Sequence, residues 1–229
     1  MQFQRTMFTA IPLPMSVDDR QREEKRQRRR TIVDAAETVL DEKGRDAMTM
    51  ADIADEAEVS RSLLYVYFEN MADIVLAVTH RGFRAMRERF EAAAQQHDTG
   101  RAQIRAVGDA YVRFSREKPT LFRLVAQFES RAADPDESSE RVRRCLAEAD
   151  RGLQVISTAI RAGIDDGSIR QDLDPRQTAV TLWGATHGLI QLAANKGSGL
   201  EKRYNLDPGS LVNNGLDFLG RALADQDGS

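Results

Sequence analysis

The chain has 229 residues, 41% hydrophobic and 30% charged, enough for a real core in one large helical domain or in a small domain followed by a larger one. Its formal net charge of −3 excludes an unselective polyanion binder, so any nucleic-acid affinity has to come from locally arranged cations. A single cysteine, Cys145, excludes an internal disulfide framework and leaves too few thiols for a zinc site, which fits a reducing cytosol and a cytoplasmic protein.

The first residues, MQFQRTMFTAIPLPMS, lack the clean apolar core of a signal peptide and hold two prolines. They read as a disordered arm reaching to about residue 20, with Met15 an alternative initiator. No apolar run approaches the roughly 18 residues that a membrane-spanning helix needs. Arg20 to Arg30, RQREEKRQRRR, is the densest positive segment, with seven basic and two acidic residues. Such a run is usually a solvated helix start or tail. Its place directly before the first apolar-periodic helix also suits phosphate contact, which we assign to Arg28 and Arg29. From Arg30 to Lys43 the residues Ile32, Val33, Ala36, Val39 and Leu40 recur at helical spacing, and Gly44 follows as a C-cap.

Thr49 to Phe68, TMADIADEAEVSRSLLYVYF, reads as two short helices around a tight turn. Thr49 is an N-cap with Asp52 three residues on, as in a capping box. Glu58 and Val59 make the turn, Ser60 caps again, and Arg61 to Tyr67 form the second helix. Leu64 and Phe68 share a face that packs with Val59 and Ile53, leaving Arg61, Ser62 and Tyr65 on the other. A short helix with that outer face suits the DNA major groove: Arg61 for a guanine edge, Ser62 for a base or phosphate, Tyr65 and Tyr67 for phosphate oxygens. An ordinary helical hairpin with a solvated polar face is the other reading of the spacing.

The residues themselves carry more. Thr49, then Ile53-Ala54, Ala57, Val59-Ser60 and Leu64-Tyr65-Val66-Tyr67-Phe68 resemble the DNA-binding domain of the TetR family of transcriptional regulators, of the TetR/AcrR type, over about Arg28 to Ala77. The resemblance implies a helix-turn-helix domain over 21–72 and a regulatory and dimerisation domain over 73–229, joined by a long helix. The residues expected at DNA are Arg28, Arg29, Thr49, Ser60, Arg61, Ser62, Leu63, Tyr65 and Tyr67. Two positions depart from the family pattern. Glu58 stands where a turn glycine is usual, and has to tolerate that glycine's backbone geometry. Met71 stands where a phosphate-contacting lysine is usual, a loss of about one unit of salt-dependence slope.

Helical patterns continue to the end of the chain. Asn70 caps a helix with an apolar stripe of Ile74, Ala77 and Val78, running through Phe83, Met86 and Phe90 to about Gln96. Ala102 to Arg116 is the next, and Pro119 opens another bearing Leu121, Phe122, Leu124, Val125 and Phe128. Asp134-Pro135-Asp136 reads as a loop, and Ser138 to about Asp166 as a long helix ended by Gly167. Asp174-Pro175 and Asp207-Pro208 each pair an N-cap with a proline at the first helical position. No useful β-like alternation appears, so the expected fold is all-α with about nine helices.

Thr178 to Lys196 is apolar over more than half its circumference and so has to bury two faces. The last helix has a similar surplus, which together suggests a four-helix interface between two copies. The residues expected there are Leu182, Ala185, Leu189, Leu192, Leu216, Phe218 and Leu219. This agrees with the resemblance, whose last two helices dimerise. One recognition helix reads only a few base pairs, and each good contact is worth about 1–3 kcal/mol, so a homodimer on a partly palindromic operator is expected.

The candidate wall of an effector pocket is Tyr111, Phe114, Phe122, Phe128, Trp183 and His187, although plain core is an equal reading for any one of them. These are mostly apolar, which favours a hydrophobic or amphipathic small molecule. His187 also fits a dimer interface with its ring satisfied. Cys145, among Arg141, Arg143 and Arg144, is either a low-pKa redox sensor or an ordinary helical cysteine, the commoner case. No phosphate loop, nucleophile elbow or metal-ligand spacing appears, so no metal, cofactor or catalytic residue is expected. The resemblance implies a repressor released from double-stranded DNA by its effector through a population shift. A helical binding or scaffolding dimer that no longer holds DNA is the alternative, supported by Glu58 and Met71; an all-α enzyme has only isolated His and Cys residues in its favour.

Overall fold

The computed structural model describes residues 16–131 and 139–224, with 129–131 as backbone only. Among them are nine α-helices and no strand, as the spacing predicts. The chain divides into two compact units, one ending at Glu69 and the other beginning at Asn70.

The first unit holds α1 (Val17–Lys43), α2 (Met50–Glu56) and α3 (Arg61–Tyr67). α1 starts well before the predicted Arg30, so the expected arm is corrected at its end: residues 17–20 are helical. Ser16 caps them, its Oγ accepting from the Asp19 N–H at 3.1 Å, and Asp18 and Asp19 complement the positive end of the helix dipole. Residues 1–15, the rest of that arm, lie outside the described residues. The buried side of α1 begins only at Ile32 and continues through Val33, Ala36, Val39 and Leu40. Gly44 ends the helix at φ +73°, its N–H donating to the Leu40 carbonyl.

The capping box at Thr49 forms in full. The Thr49 N–H donates to Asp52 Oδ2 at 2.9 Å and the Asp52 N–H to Thr49 Oγ1 at 3.2 Å. Lys43 Nζ donates to Asp52 Oδ1 at 2.7 Å, tying the end of α1 to the start of α2. The Lys43 hydrogen bond, with those of Thr49, holds the Asp52 carboxyl down at about 2. Ser60 Oγ accepts from the Leu63 N–H at 3.2 Å and starts α3. Ile53, Ala54, Leu64 and Phe68 are buried, so the hairpin turns its apolar edge inward.

The second unit holds α4 (Met71–Ala94), α5 (Gly100–Glu117), α6 (Pro119–Arg131), α7 (Glu140–Asp165), α8 (Pro175–Tyr204) and α9 (Pro208–Ala222). Asn70, Thr99, Asp174 and Asp207 each cap the helix that follows, accepting from the N–H three residues on. The predicted loop at 134–136 and the predicted helix start at Ser138 lie outside the described residues. α4 and α7 pack along each other, joined by Arg141–Asp73 at 2.6 Å and Arg87–Glu148 at 2.9 Å. Glu148 is buried and takes Arg151 as a second partner at 2.7 Å. Gly100 at the start of α5 meets α7 so closely that a Cβ there would stand 2.1 Å from the Gly163 nitrogen.

Cys145 lies buried in α7 with its Sγ 3.5 Å from the Leu76 carbonyl. Burial pushes its thiol up to about 12, which suppresses the thiolate despite the neighbouring arginines. The redox-sensor reading is corrected on that ground: this is a structural helical cysteine.

Candidate DNA-recognition face and effector cavity

α3 presents Arg61, Ser62 and Tyr65 outward, with Tyr65 55% exposed. The same face carries Val66, 69% exposed, which is not among the residues expected at DNA. Its signal was there, an i, i+4 partner to Ser62 opposite the buried Leu64. Leu63 and Tyr67 are half-buried at the edges of the face. Thr49 and Ser60 are exposed, but their hydroxyls serve as helix caps, and Ser60 Oγ also lies 2.9 Å from Ser62 Oγ. Arg28 is exposed on α1. Arg29 is half-buried, with its guanidinium 5.1 Å from the centre of the Phe68 ring. Glu58 occupies the turn at φ +52°, the left-handed conformation that a glycine would adopt without strain.

In the second unit α5, α7, α8 and α9, with Phe90 of α4, line a cavity of about 370 Å³. Its floor is buried and apolar, with Phe90, Val107, Tyr111, Ile156, Leu182 and Leu216. Its rim is exposed and charged: Arg101, Arg105 and Arg221 with Asp217. Arg105 is held by Asp217 across the rim, from α5 to α9, and by Asp109 on its own helix at 3.2 Å. No ion pair engages Arg101 or Arg221 among the described residues.

Of the six residues expected on the pocket wall, Tyr111 and Trp183 line this cavity. Phe122 lies on a separate hollow with Ile190 and Val212. Phe114 is fully buried under the Arg89 guanidinium, 5.2 Å from its ring centre, and Phe128 packs edge-on against Phe83. Phe114 is core and Phe128 is half-buried, and neither lines the hollow. His187 stands behind the wall rather than on it. Its Nδ1 lies 2.7 Å from the Tyr111 hydroxyl, and its ring packs among those of Tyr111, Phe122 and Trp183. Burial holds its pKa below the ordinary imidazole value. The rim arginines were missed, since their helical spacing is that of any solvated face.

The expected interface residues divide. Leu182 and Leu216 are buried within the protomer and line the cavity, and the half-buried Leu219 lines it too. Leu189 packs against Gly215 and Ala185 is half-buried. Leu192 and Phe218 are exposed, Phe218 by 68%. Leu192 ends a row of Val180, Gly184, Gly188 and Leu192 at fourfold spacing along α8, all exposed. A Cβ on either glycine would meet nothing within 4 Å.

Among the described residues no group of His, Cys, Asp or Glu could hold a metal ion, and no single helix is long and apolar enough to cross a membrane.

Two family models match the chain: "Bacterial regulatory proteins, tetR family" over residues 32–78 and "Tetracyclin repressor-like, C-terminal domain" over residues 104–219. The chain is 26% identical over 162 residues to the fatty acid metabolism regulator protein of Bacillus subtilis (strain 168), covering 70% of this chain and 80% of that protein. It is 31% identical over 119 residues to the HTH-type transcriptional regulator BetI of Rhizobium meliloti (strain 1021), covering 52% of this chain and 57% of that one. The solved structure of FadR from Bacillus subtilis in complex with stearoyl-CoA shares the fold, with a TM-score of 0.64 at 22% identity over 84% of this chain and 97% of that chain. With one family model on the helix-turn-helix and a second on half the chain, this protein belongs to the TetR family of bacterial transcriptional regulators and is a ligand-responsive DNA-binding protein.

Proposed function

We propose that the protein is a cytoplasmic homodimeric repressor, bound to a partly palindromic operator and released when an amphipathic, anionic small molecule fills the cavity among α5, α7, α8 and α9. The observation that carries the DNA half is the outer face of α3, where Arg61, Ser62, Tyr65 and Val66 stand clear of the core. Arg61 suits a guanine edge, Val66 a thymine methyl, and Tyr65 a phosphate oxygen. Arg28 adds a phosphate contact from α1. The exposed row on α8 and Phe218 on α9 favour a second copy as the partner that covers them.

The effector half rests on the cavity's two-part chemistry. An apolar floor takes a hydrocarbon segment, and rim arginines take a negative group. A volume of about 370 Å³ is near the lower end of ligand pockets, which span about 300–1,000 Å³, so the hydrocarbon is short to medium. The relatives' names, a fatty acid metabolism regulator and a complex with stearoyl-CoA, support an acyl thioester of coenzyme A. The effector acts by favouring the dimer whose recognition helices no longer match successive major grooves.

The test is fluorescence anisotropy on an operator recovered by selection from a random-sequence duplex pool. Specific binding is expected, weakened at least tenfold in Arg61→Ala, about the worth of one base contact. Acyl-CoA thioesters of graded length are expected to release it, best at short to medium chain, with Arg101→Ala/Arg221→Ala blunting the response. No sequence-selective binding at low salt would leave the non-DNA-binding dimer as the better reading. Release by neutral apolar compounds alone would remove the anionic head from the proposal.

A further inference from the structure

α1 is 27 residues long, yet its buried residues all lie from Ile32 onward. Its first half is thus a helix with no core beneath it. That half holds Arg20 to Arg30, seven basic and two acidic residues, a local excess of five positive charges in a chain whose formal net charge is −3. Arg22, Lys25, Arg26 and Arg29 fall at i, i+3, i+4 and i+7 and together line one side of the helix. Among the described residues Arg26 meets Glu23 at 3.4 Å, while Arg22 and Lys25 have no ion pair. The lower end of the row has a fixed position. The Arg29 guanidinium stands over Phe68, the residue that closes α3, so the row leads up to the end of the recognition helix.

A helix is about 10–12 Å across with its side chains, and the minor groove of B-DNA is about 6 Å wide. The segment therefore does not act as a flexible arm threaded into the minor groove. It suits the outside of the duplex, where one negative charge falls about every 1.7 Å of axis.

We propose that the exposed half of α1 is a second phosphate-binding element, a rigid cationic rail along the DNA backbone outside the half-site read by α3, which sets how long an operator must be and not what its sequence is. This rests on the DNA-binding reading above. From Arg20 to Arg30 the rail is about 15 Å long at 1.5 Å per residue, or about four base pairs of flanking duplex on each side of the dimer, with the acidic Asp18 and Asp19 beyond its far end. A contact of this kind follows the backbone, so flank sequence is immaterial.

The test compares the full chain with Arg22→Gln/Lys25→Gln/Arg26→Gln, which spares Arg29 and its packing on Phe68. Operator duplexes are used with and without four flanking base pairs, over a series of salt concentrations, and circular dichroism verifies that helix content is kept. The slope of log affinity against log salt is expected to fall by about 0.9 for each altered residue that touches phosphate. Trimming the flanks should weaken the parent at least tenfold and leave the variant nearly unchanged, and scrambling the flank sequence should affect neither. An unchanged slope together with a parent indifferent to trimming overturns the rail, and the recognition reading survives if Arg61→Ala still weakens specific binding at least tenfold. Unchanged DNA binding in a variant that no longer binds phosphatidylglycerol vesicles held by the parent would overturn it in favour of a membrane surface. No specific binding by the parent overturns both readings.

Discussion

Glu58 is held at φ +52° in the turn between α2 and α3, where an L side chain crowds its own backbone and a glycine does not. Glu58→Gly is therefore expected to raise stability by about 1 kcal/mol, read from urea unfolding. It also removes a negative charge beside the recognition helix, so operator affinity should rise with it; a destabilised variant would show that the Glu58 side chain contributes more than its backbone costs. His187 offers a second single-residue test. Burial lowers its pKa from the ordinary 6.5, and the neutral ring fits between Trp183, Phe122 and the Tyr111 hydroxyl. The unfolded chain takes the proton first, so this contribution is complete above about pH 6.5, declines as pH falls toward the folded value and then levels off. His187→Gln should flatten that limb of the stability–pH curve, and an equally steep limb in the variant would assign it to other groups.

At the scale of elements, helix starts were legible because a cap needs only its own residue and the N–H two or three along. Thr49, Ser60, Asn70, Asp174 and Asp207 all cap as their types and positions predict. The start of α1 was not legible, because a run so polar carries no apolar period to follow. The close approach of α5 to α7 was also hidden. Gly100 looks like an ordinary loop residue, yet its N–H donates to Asp166 Oδ2 at 2.8 Å and its Cα faces the α7 backbone. A Cβ there would also stand 2.3 Å from the Ala159 carbonyl, so the two helices would have to separate. Gly100→Ala is expected to cost about 1–3 kcal/mol as overpacking, seen as a lower melting temperature. A melting temperature equal to the parent's would mean that the start of α5 unwinds freely to make room.

For the molecule as a whole, the exposed row on α8 and Phe218 on α9 bear on whether two copies assemble. Phe218→Glu places a charge where an apolar partner face is proposed, and the isolated protomer should tolerate it because the side chain is 68% exposed. The expected outcome is a monomer by sedimentation, with an unchanged helical spectrum and operator affinity reduced at least tenfold, since half of the base contacts are then lost. A variant that still sediments as the parent does would move the interface elsewhere. Leu182 and Leu216 belong to the cavity floor instead, so shortening them should alter effector response before it alters assembly.

By itself the sequence determined the helices, their caps, the helix-turn-helix and its outer face, because each depends on neighbours within one or two turns of the same chain. It also determined that α8 and α9 carry more apolar surface than one packed face can use. Which part of that surplus faces inward was decided only by the tertiary structure. Helical spacing gives the faces of a helix but not the neighbour each face meets. The cavity among α5, α7, α8 and α9 exists because their apolar sides converge without filling the space between them, and the arginines of its rim share the helical spacing of any solvated face, which does not mark them out.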